Sequence, residues 1–177
     1  EKVVPVDSSG ILRVDDDDIY KADLAEKTLA SEESGGLSDA LEDADAVIGL
    51  SAAGLISKEM VGSMAEDPIV FALANPEPEI LPDEAREAGA YITATGRSDF
   101  NNQVNNSLAF PGVFRGALDI QASEINEEMK LAASEAIREF VDPEVEKIVP
   151  ETLDKELAMK IADKVRRAAK SSGVNRK

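Results

Sequence analysis

Apolar residues along this chain come first as short continuous runs and later at helical spacing. The runs Lys2-Val3-Val4-Pro5-Val6, Ala46-Val47-Ile48-Gly49-Leu50, Ile69-Val70-Phe71-Ala72-Leu73-Ala74 and Tyr91-Ile92-Thr93-Ala94-Thr95 each read as a strand that stops at a turn-forming cluster. Pro5 cannot donate to a ladder, so the first run belongs early in its strand or at a sheet edge. Between the runs, residues 19–28 carry a weak helical face of Ile19, Leu24 and Ala25. Shorter helices are predicted at residues 37–41, from Ser57 onward with Ser57 as its cap, and from Pro82 to a stop at Gly89. The polar, glycine-containing stretch from Ser31 to Gly36 reads as a loop. Apolar strands alternating with helices predict an α/β fold, a doubly wound parallel sheet covered on both faces. Beyond Pro111 the strand signals stop, and residues 126–140 and 153–171 carry apolar positions three and four apart. A C-terminal helical tail is therefore expected, with Pro150 and Thr152 at the start of its last helix and Gly173 at its end.

In open α/β sheets ligands bind beyond the carboxyl ends of the strands. That rule selects Asp7-Ser8-Ser9-Gly10, Ser51-Ala52-Ala53-Gly54, Asn75-Pro76, and Gly96-Arg97-Ser98 with the loop behind it. Dinucleotide folds place a glycine-rich turn after the first strand and, about 20 residues later, an acid that accepts from ribose hydroxyls. Asp7 stands where such an acid would, yet only six residues precede it and no G-x-G-x-x-G follows. Either Asp7 is a turn residue, or the chain begins inside a domain whose first strand and phosphate loop are missing. Residues 101–106 hold four Asn and one Gln, which offer paired donors and acceptors without charge. They suit a hydroxyacid, a carboxamide or ribose hydroxyls, or they form a solvated loop. The run Asp15-Asp16-Asp17-Asp18 reads as a solvated helix start rather than a metal cluster.

Charge narrows the partners. A net charge of −17, from 36 acidic and 19 basic residues, repels nucleic acid. The acidic excess is spread along the chain, which reads as a surface adapted to high salt or as that of an ordinary acidic mesophile. No apolar stretch is long enough for a membrane span and no signal peptide is legible, so a cytoplasmic location is expected. With no Cys and no His, disulfides and thiol chemistry are excluded, and acid–base chemistry would rest on Asp, Glu, Lys or Tyr.

Three longer motifs go further. They are Phe71-Ala72-Leu73-Ala74-Asn75-Pro76, Ala94-Thr95-Gly96-Arg97-Ser98-Asp99-Phe100, and Asn102-Gln103-Val104-Asn105-Asn106 with Phe110-Pro111-Gly112-Val113-Phe114-Arg115-Gly116-Ala117-Leu118. Together they closely resemble the prokaryotic malic enzymes, and the resemblance extends to Val6-Asp7-Ser8-Ser9-Gly10, Ile125-Asn126-Glu127-Glu128-Met129 and Ser172-Gly173-Val174.

That resemblance implies a Rossmann-like NAD(P)-binding domain lacking its first strand and glycine loop. Residues 1–120 would form the partial nucleotide-binding part and 121–177 a helical extension of the same domain. It implies oxidative decarboxylation of malate to pyruvate and CO₂ with NAD or NADP and Mg²⁺ or Mn²⁺, and a homo-oligomer. The family's Lys–Tyr pair and acidic metal ligands lie upstream of Glu1, so no catalytic or metal residue is assigned and the chain alone is expected to be inactive. Binding roles carry over residue by residue. Asn75 matches an Asn that meets malate and the nicotinamide ribose, Asn106 one that binds a malate carboxylate, and Asn105 stands beside it. Asp7 and Ser8 fall at the ribose end of the cofactor, and Ser51, Ala52 and Ala53 where backbone approaches it. Family members often have Gly or Pro among the last three, and Pro at the place of Asn101, a departure expected to loosen the loop. Asn102 is read as a loop residue of little consequence. Asp7 favours NAD by repelling a 2′-phosphate, whereas Ser8 and Ser9 would suit NADP if Asp7 turned away. A reading of a different class is a noncatalytic nucleotide-sensing or interaction domain, and the sequence upstream of Glu1 would discriminate the two.

Overall fold

A computed structural model describes residues 2–28, 34–152 and 154–176. The expected loop at Ser31 to Gly36 lies partly, and Leu153 wholly, outside them. Element order is β1 (Val6–Asp7), β2 (Gly10–Ile11), α1 (Ile19–Lys27), α2 (Leu37–Leu41), β3 (Ala46–Gly49), α3 (Lys58–Gly62), β4 (Ile69–Ala72), α4 (Pro82–Glu87), β5 (Ile92–Thr95), a 3₁₀ turn (Asn106–Leu108), α5 (Phe110–Asp119), α6 (Glu127–Arg138) and α7 (Lys155–Ser171). Strands β3, β4 and β5 form a parallel sheet in the order β3-β4-β5. The alternation of apolar runs and helices thus gives the expected α/β fold. The residues group into two compact units, Glu1–Ala72 with Glu79–Thr93, and Leu73–Pro78 with Ala94–Lys177.

In the first unit β3 and β4 pair in register from Ala46 opposite Ile69 to Gly49 opposite Ala72. Their apolar faces close on Leu41, Ile56, Val61, Ile80 and Ala85. β3 was expected to be buried, but it ends the strand order and Ile48 is 66% exposed, while Val70 on β4 is 1% exposed. Among the described residues β3 has a neighbouring strand on one side only and β4 on both, which accounts for that difference. The N-terminal strand is also shorter than expected. Only Val6–Asp7 is extended and paired, and its partner is Gly10–Ile11 in a tight antiparallel hairpin. Gly10 sits at φ +115°, and a Cβ there would come 2.5 Å from the Gly35 carbonyl oxygen, so the hairpin requires glycine.

The aspartate run does start a helix: the Asp18 carboxylate accepts from the Tyr20 N–H at 2.9 Å, and Asp16 accepts from the Asp18 N–H at 2.8 Å. On α1 itself only Ala25 is buried, and Ile19 and Leu24, expected on an inward face, are exposed at 73% and 44%. Ser57 caps α3 as expected, accepting from the Met60 N–H at 3.3 Å.

The second unit is mainly three helices around Leu108, Val113, Met129, Leu157, Ile161 and Val165. Gly112 and Gly116 let α5 and α7 touch: a Cβ at Gly112 would meet the Ile161 side chain at 2.5 Å, and one at Gly116 the Ala162 carbonyl at 2.7 Å. α6 starts at Glu127 with Asn126 as cap, accepting from the Met129 N–H at 3.1 Å. α7 is capped by Asp154, not Thr152, since the Asp154 carboxylate accepts from Glu156 and Leu157 N–H groups at 2.8 and 3.2 Å. Gly173 ends α7 at φ +76°, and the next N–H, of Val174, turns back to the Ala169 carbonyl at 3.1 Å.

Candidate functional site

Each unit carries loops at strand ends, and the candidate residues divide between them. In the first, Asp7 closes its own turn: Oδ1 accepts from the Ser9 N–H at 2.8 Å and the Ser9 hydroxyl at 2.6 Å. Its Oδ2 accepts from Lys21 Nζ at 2.5 Å. The Lys21 ammonium, and then the Ser9 donors, hold this carboxyl far below the usual carboxylate range, so it is an anion at every physiological pH. Ser8 at the tip is exposed. Ser9 is bound to Asp7, so the arrangement in which Asp7 turns away and both serines face a ligand is not the one observed.

The loop after β3 exposes Ser51, Ala52 and Ala53, with Gly54 at φ +70°. The Ser51 N–H does not point to solvent; it donates to Glu79 Oε1 at 2.8 Å. Glu79 is 1% exposed, and its carbonyl accepts from the Ile56 N–H at 3.1 Å, so one residue holds both ends of the loop. The carboxyl group lies against Gly49, where a Cβ would come 2.5 Å from its carbon. Sequence reasoning missed Glu79. Nothing in Pro76-Glu77-Pro78-Glu79-Ile80 separates the exposed Glu77 from the buried Glu79.

Asn75 and the asparagine loop both belong to the second unit. Asn75 follows β4 and is exposed, and the Asn75-Pro76 peptide is cis. Beyond β5 the chain doubles back: the Val104 N–H donates to the Thr95 carbonyl at 2.9 Å, and Gln103 pairs with Thr95 in a parallel bridge. The connecting turn is fastened by Arg97, whose guanidinium grips Asp99 with two bonds of 2.9 and 2.7 Å and lies 5.3 Å from the Phe100 ring centroid.

Asn102 corrects the sequence reading. It is 6% exposed with φ +56°, its amide donates to the Val145 carbonyl at 2.8 Å, and its Oδ1 accepts from the Ile148 N–H at 2.9 Å. It is therefore an anchor that ties the loop to residues 145–148, not an inconsequential loop residue. Asn101 is also tied to this segment, its amide donating to Glu146 at 2.8 Å. Among the described residues the buried polar side chains are Glu79, Thr93, Thr95 and Asn102.

Held this way, the end of the loop presents amides outward. Asn105 caps the 3₁₀ turn, its Oδ1 accepting from the Ser107 N–H at 2.9 Å, which leaves its NH₂ group as a donor. Asn106 begins that turn, is exposed, and its side chain bonds to no described residue, as is true of Asn75. Both amides are free to donate to an anion and to accept from a hydroxyl. Among the described residues no three acidic side chains gather to hold a metal.

A family model described as "Malic enzyme, NAD binding domain" matches residues 1–170. The bifunctional malic/malolactic enzyme of Bacillus subtilis is 54% identical over 159 residues, covering 88% of this chain and 39% of that protein. The NADP-dependent malic enzyme of Halomonas elongata is 41% identical, covering 100% of this chain and 46% of that protein. The crystal structure of the NAD-dependent malic enzyme of Thermotoga maritima superposes with a TM-score of 0.88 at 44% identity, over 93% of this chain and 45% of that one. The chain thus spans less than half the length of these relatives.

Proposed function

Because this chain belongs to the malic enzyme family as an NAD-binding domain, we propose that it serves the oxidative decarboxylation of malate to pyruvate and CO₂ with NAD or NADP. When bound, the dinucleotide supplies the hydride acceptor, and Mg²⁺ or Mn²⁺, on ligands outside this chain, supplies Lewis acidity. The Asn106 amide donates to a malate carboxylate, and Asn75 bonds malate and the nicotinamide ribose. Asn105 offers its NH₂ beside them. An amide orients an anion without adding a charge that would compete with the ion's field. Asp7, at the first hairpin with Ser8, accepts from the adenosine ribose, and its anionic carboxylate favours NAD over a 2′-phosphate. Ser51, Ala52 and Ala53 lay exposed backbone along the cofactor; since the Ser51 N–H is engaged by Glu79, that contact falls to the groups beyond it.

The division at residue 120 is one of role: every ligand contact named above precedes it, and residues 121–177 belong to the helical core of the second unit. We place the protein in the cytoplasm as a homo-oligomer, with the catalytic Lys and Tyr carried by the upstream part of the same enzyme. No helix among the described residues is long and apolar enough to cross a membrane. The charge of −17 supports a surface suited to high salt.

The observation that carries this reading is the pair of unbonded, exposed asparagine amides within one unit, on loops where Asn102 and Arg97 are tied inward or to neighbours. The test assays the purified chain and the full-length protein with malate, Mn²⁺ and each dinucleotide. Turnover by the full-length protein and none by the chain alone is expected. A full-length protein that binds dinucleotide and leaves malate untouched would favour the noncatalytic class.

A further inference from the structure

We propose that Glu79 is a positioning residue for the dinucleotide, fixing the loop of Ser51 to Ile56 so that its outer backbone keeps one conformation in the absence of ligand. This rests on the cofactor-facing role assigned to that loop above. Three features carry it. First, Glu79 is a carboxylate buried to 1% exposure, and burial of such a group is costly unless it is well bonded. Second, its bonds reach the two ends of a single loop: Oε1 takes the Ser51 N–H at 2.8 Å and the main-chain carbonyl takes the Ile56 N–H at 3.1 Å. Third, the carboxyl group lies against the bare Cα of Gly49, where a Cβ would come 2.5 Å from the Glu79 Cδ and force it to shift.

The residues between the anchors, Ala52, Ala53, Gly54 and Leu55, have no side-chain hydrogen-bonding group, and all four are exposed. They cannot fasten the loop themselves, and Gly54 at φ +70° adds freedom to the unfolded alternatives. Order must come from outside the loop, and Glu79 provides it. Cutting the conformations a loop must give up on binding strengthens binding without a new contact. Glu79 acts through the loop, so its loss should appear in dinucleotide affinity and spare malate affinity.

The experiment is dinucleotide binding by calorimetric titration, together with steady-state kinetics, of the full-length protein with three single variants and the Glu79→Ala, Gly49→Ala double variant, each accompanied by a melting temperature. Glu79→Ala removes the acceptor, and a rise of roughly tenfold in the dinucleotide KM is expected, with the malate KM within about twofold. Glu79→Gln keeps shape and one acceptor oxygen, so it should return the dinucleotide KM to within about threefold of wild type. Gly49→Ala displaces the carboxyl group from the other side and should reproduce the Glu79→Ala rise. The double variant should be no worse than the poorer single, because both break one arrangement. If Glu79→Ala does not fold, Glu79→Gln and Gly49→Ala carry the test. Unchanged dinucleotide KM in the variants that fold, or equal rises in both KM values, would overturn the assignment. Failure of the wild-type protein to use any dinucleotide would instead overturn the function on which it rests.

Discussion

The loop after β3 and the loop after β5 solve the same problem differently. Each must present polar groups to solvent in a fixed pose, at a strand end where no ladder continues. The first is short and made of small residues, and it is pinned by Glu79, which comes from another part of the chain. The second is long and rich in amides, and it pins itself: Asn102 turns inward to Val145 and Ile148 while Asn105 and Asn106 turn outward. Identical side chains a few residues apart therefore face opposite ways, and burial separates them.

The sharpest break in this comparison is Asn102→Ala. It leaves the Val145 carbonyl and the Ile148 N–H without their partner, a cost of roughly 2–4 kcal/mol, which lowers the melting temperature by roughly 5–15 °C. With the loop released, kcat/KM for malate should fall on the order of a hundredfold or more. Asn102→Gly sharpens the result, since glycine tolerates φ +56° and any loss that remains belongs to the hydrogen bonds. Activity and melting temperature unchanged in both variants would show that residues 145–148 do not support the loop.

A smaller effect is expected at the hairpin. Asp7→Ser removes an anion held by Lys21 and should move the NAD over NADP preference toward NADP by roughly tenfold, read as the ratio of kcat/KM values. An unchanged ratio would make Asp7 a turn residue alone.

The smallest effect is on pH. Asp7, Asp99 and Asp119 all have carboxyls held below their ordinary value, chiefly by hydrogen bonds from Lys21, Arg97 and Arg166. A carboxylate depressed in the folded state contributes stability above its unfolded value, and that contribution is lost as pH falls through the folded value. The melting temperature should therefore be level near neutrality and decline as pH drops below about 4. These groups are solvent-accessible, so the decline should be shallower in molar salt. A melting temperature that rises on acidification would contradict the sign.

Much of this arrangement was legible in the sequence. Alternating apolar runs and helical spacing gave the α/β order, and the strand-end rule selected all the loops described above. Position within the sheet was not legible: Ile48 and Val70 occupy similar apolar runs, yet one lies at the edge and the other in the middle. Nor were the anchors. Glu77 and Glu79, or Asn102 and Asn106, are alike in type and differ only in which way the backbone turns them. Lys21 lies fourteen residues from Asp7 in sequence, and only the fold shows them paired. The weak face of α1 misled, because alternation of residue type shows which positions share a face and not whether anything covers it.

The central claim is that the outward asparagines hold substrate while the inward one holds the loop. The most direct measurement is kcat/KM for malate together with melting temperature for Asn106→Ala in the full-length protein, with Asn75→Ala and Asn102→Ala beside it. Loss of one bond to a charged group predicts a fall of about ten- to a hundredfold for Asn106→Ala and Asn75→Ala, with melting temperatures at the wild-type value. Asn102→Ala alone should lower both quantities. Wild-type kcat/KM in Asn106→Ala, or a melting temperature that falls as far as that of Asn102→Ala, would contradict the account.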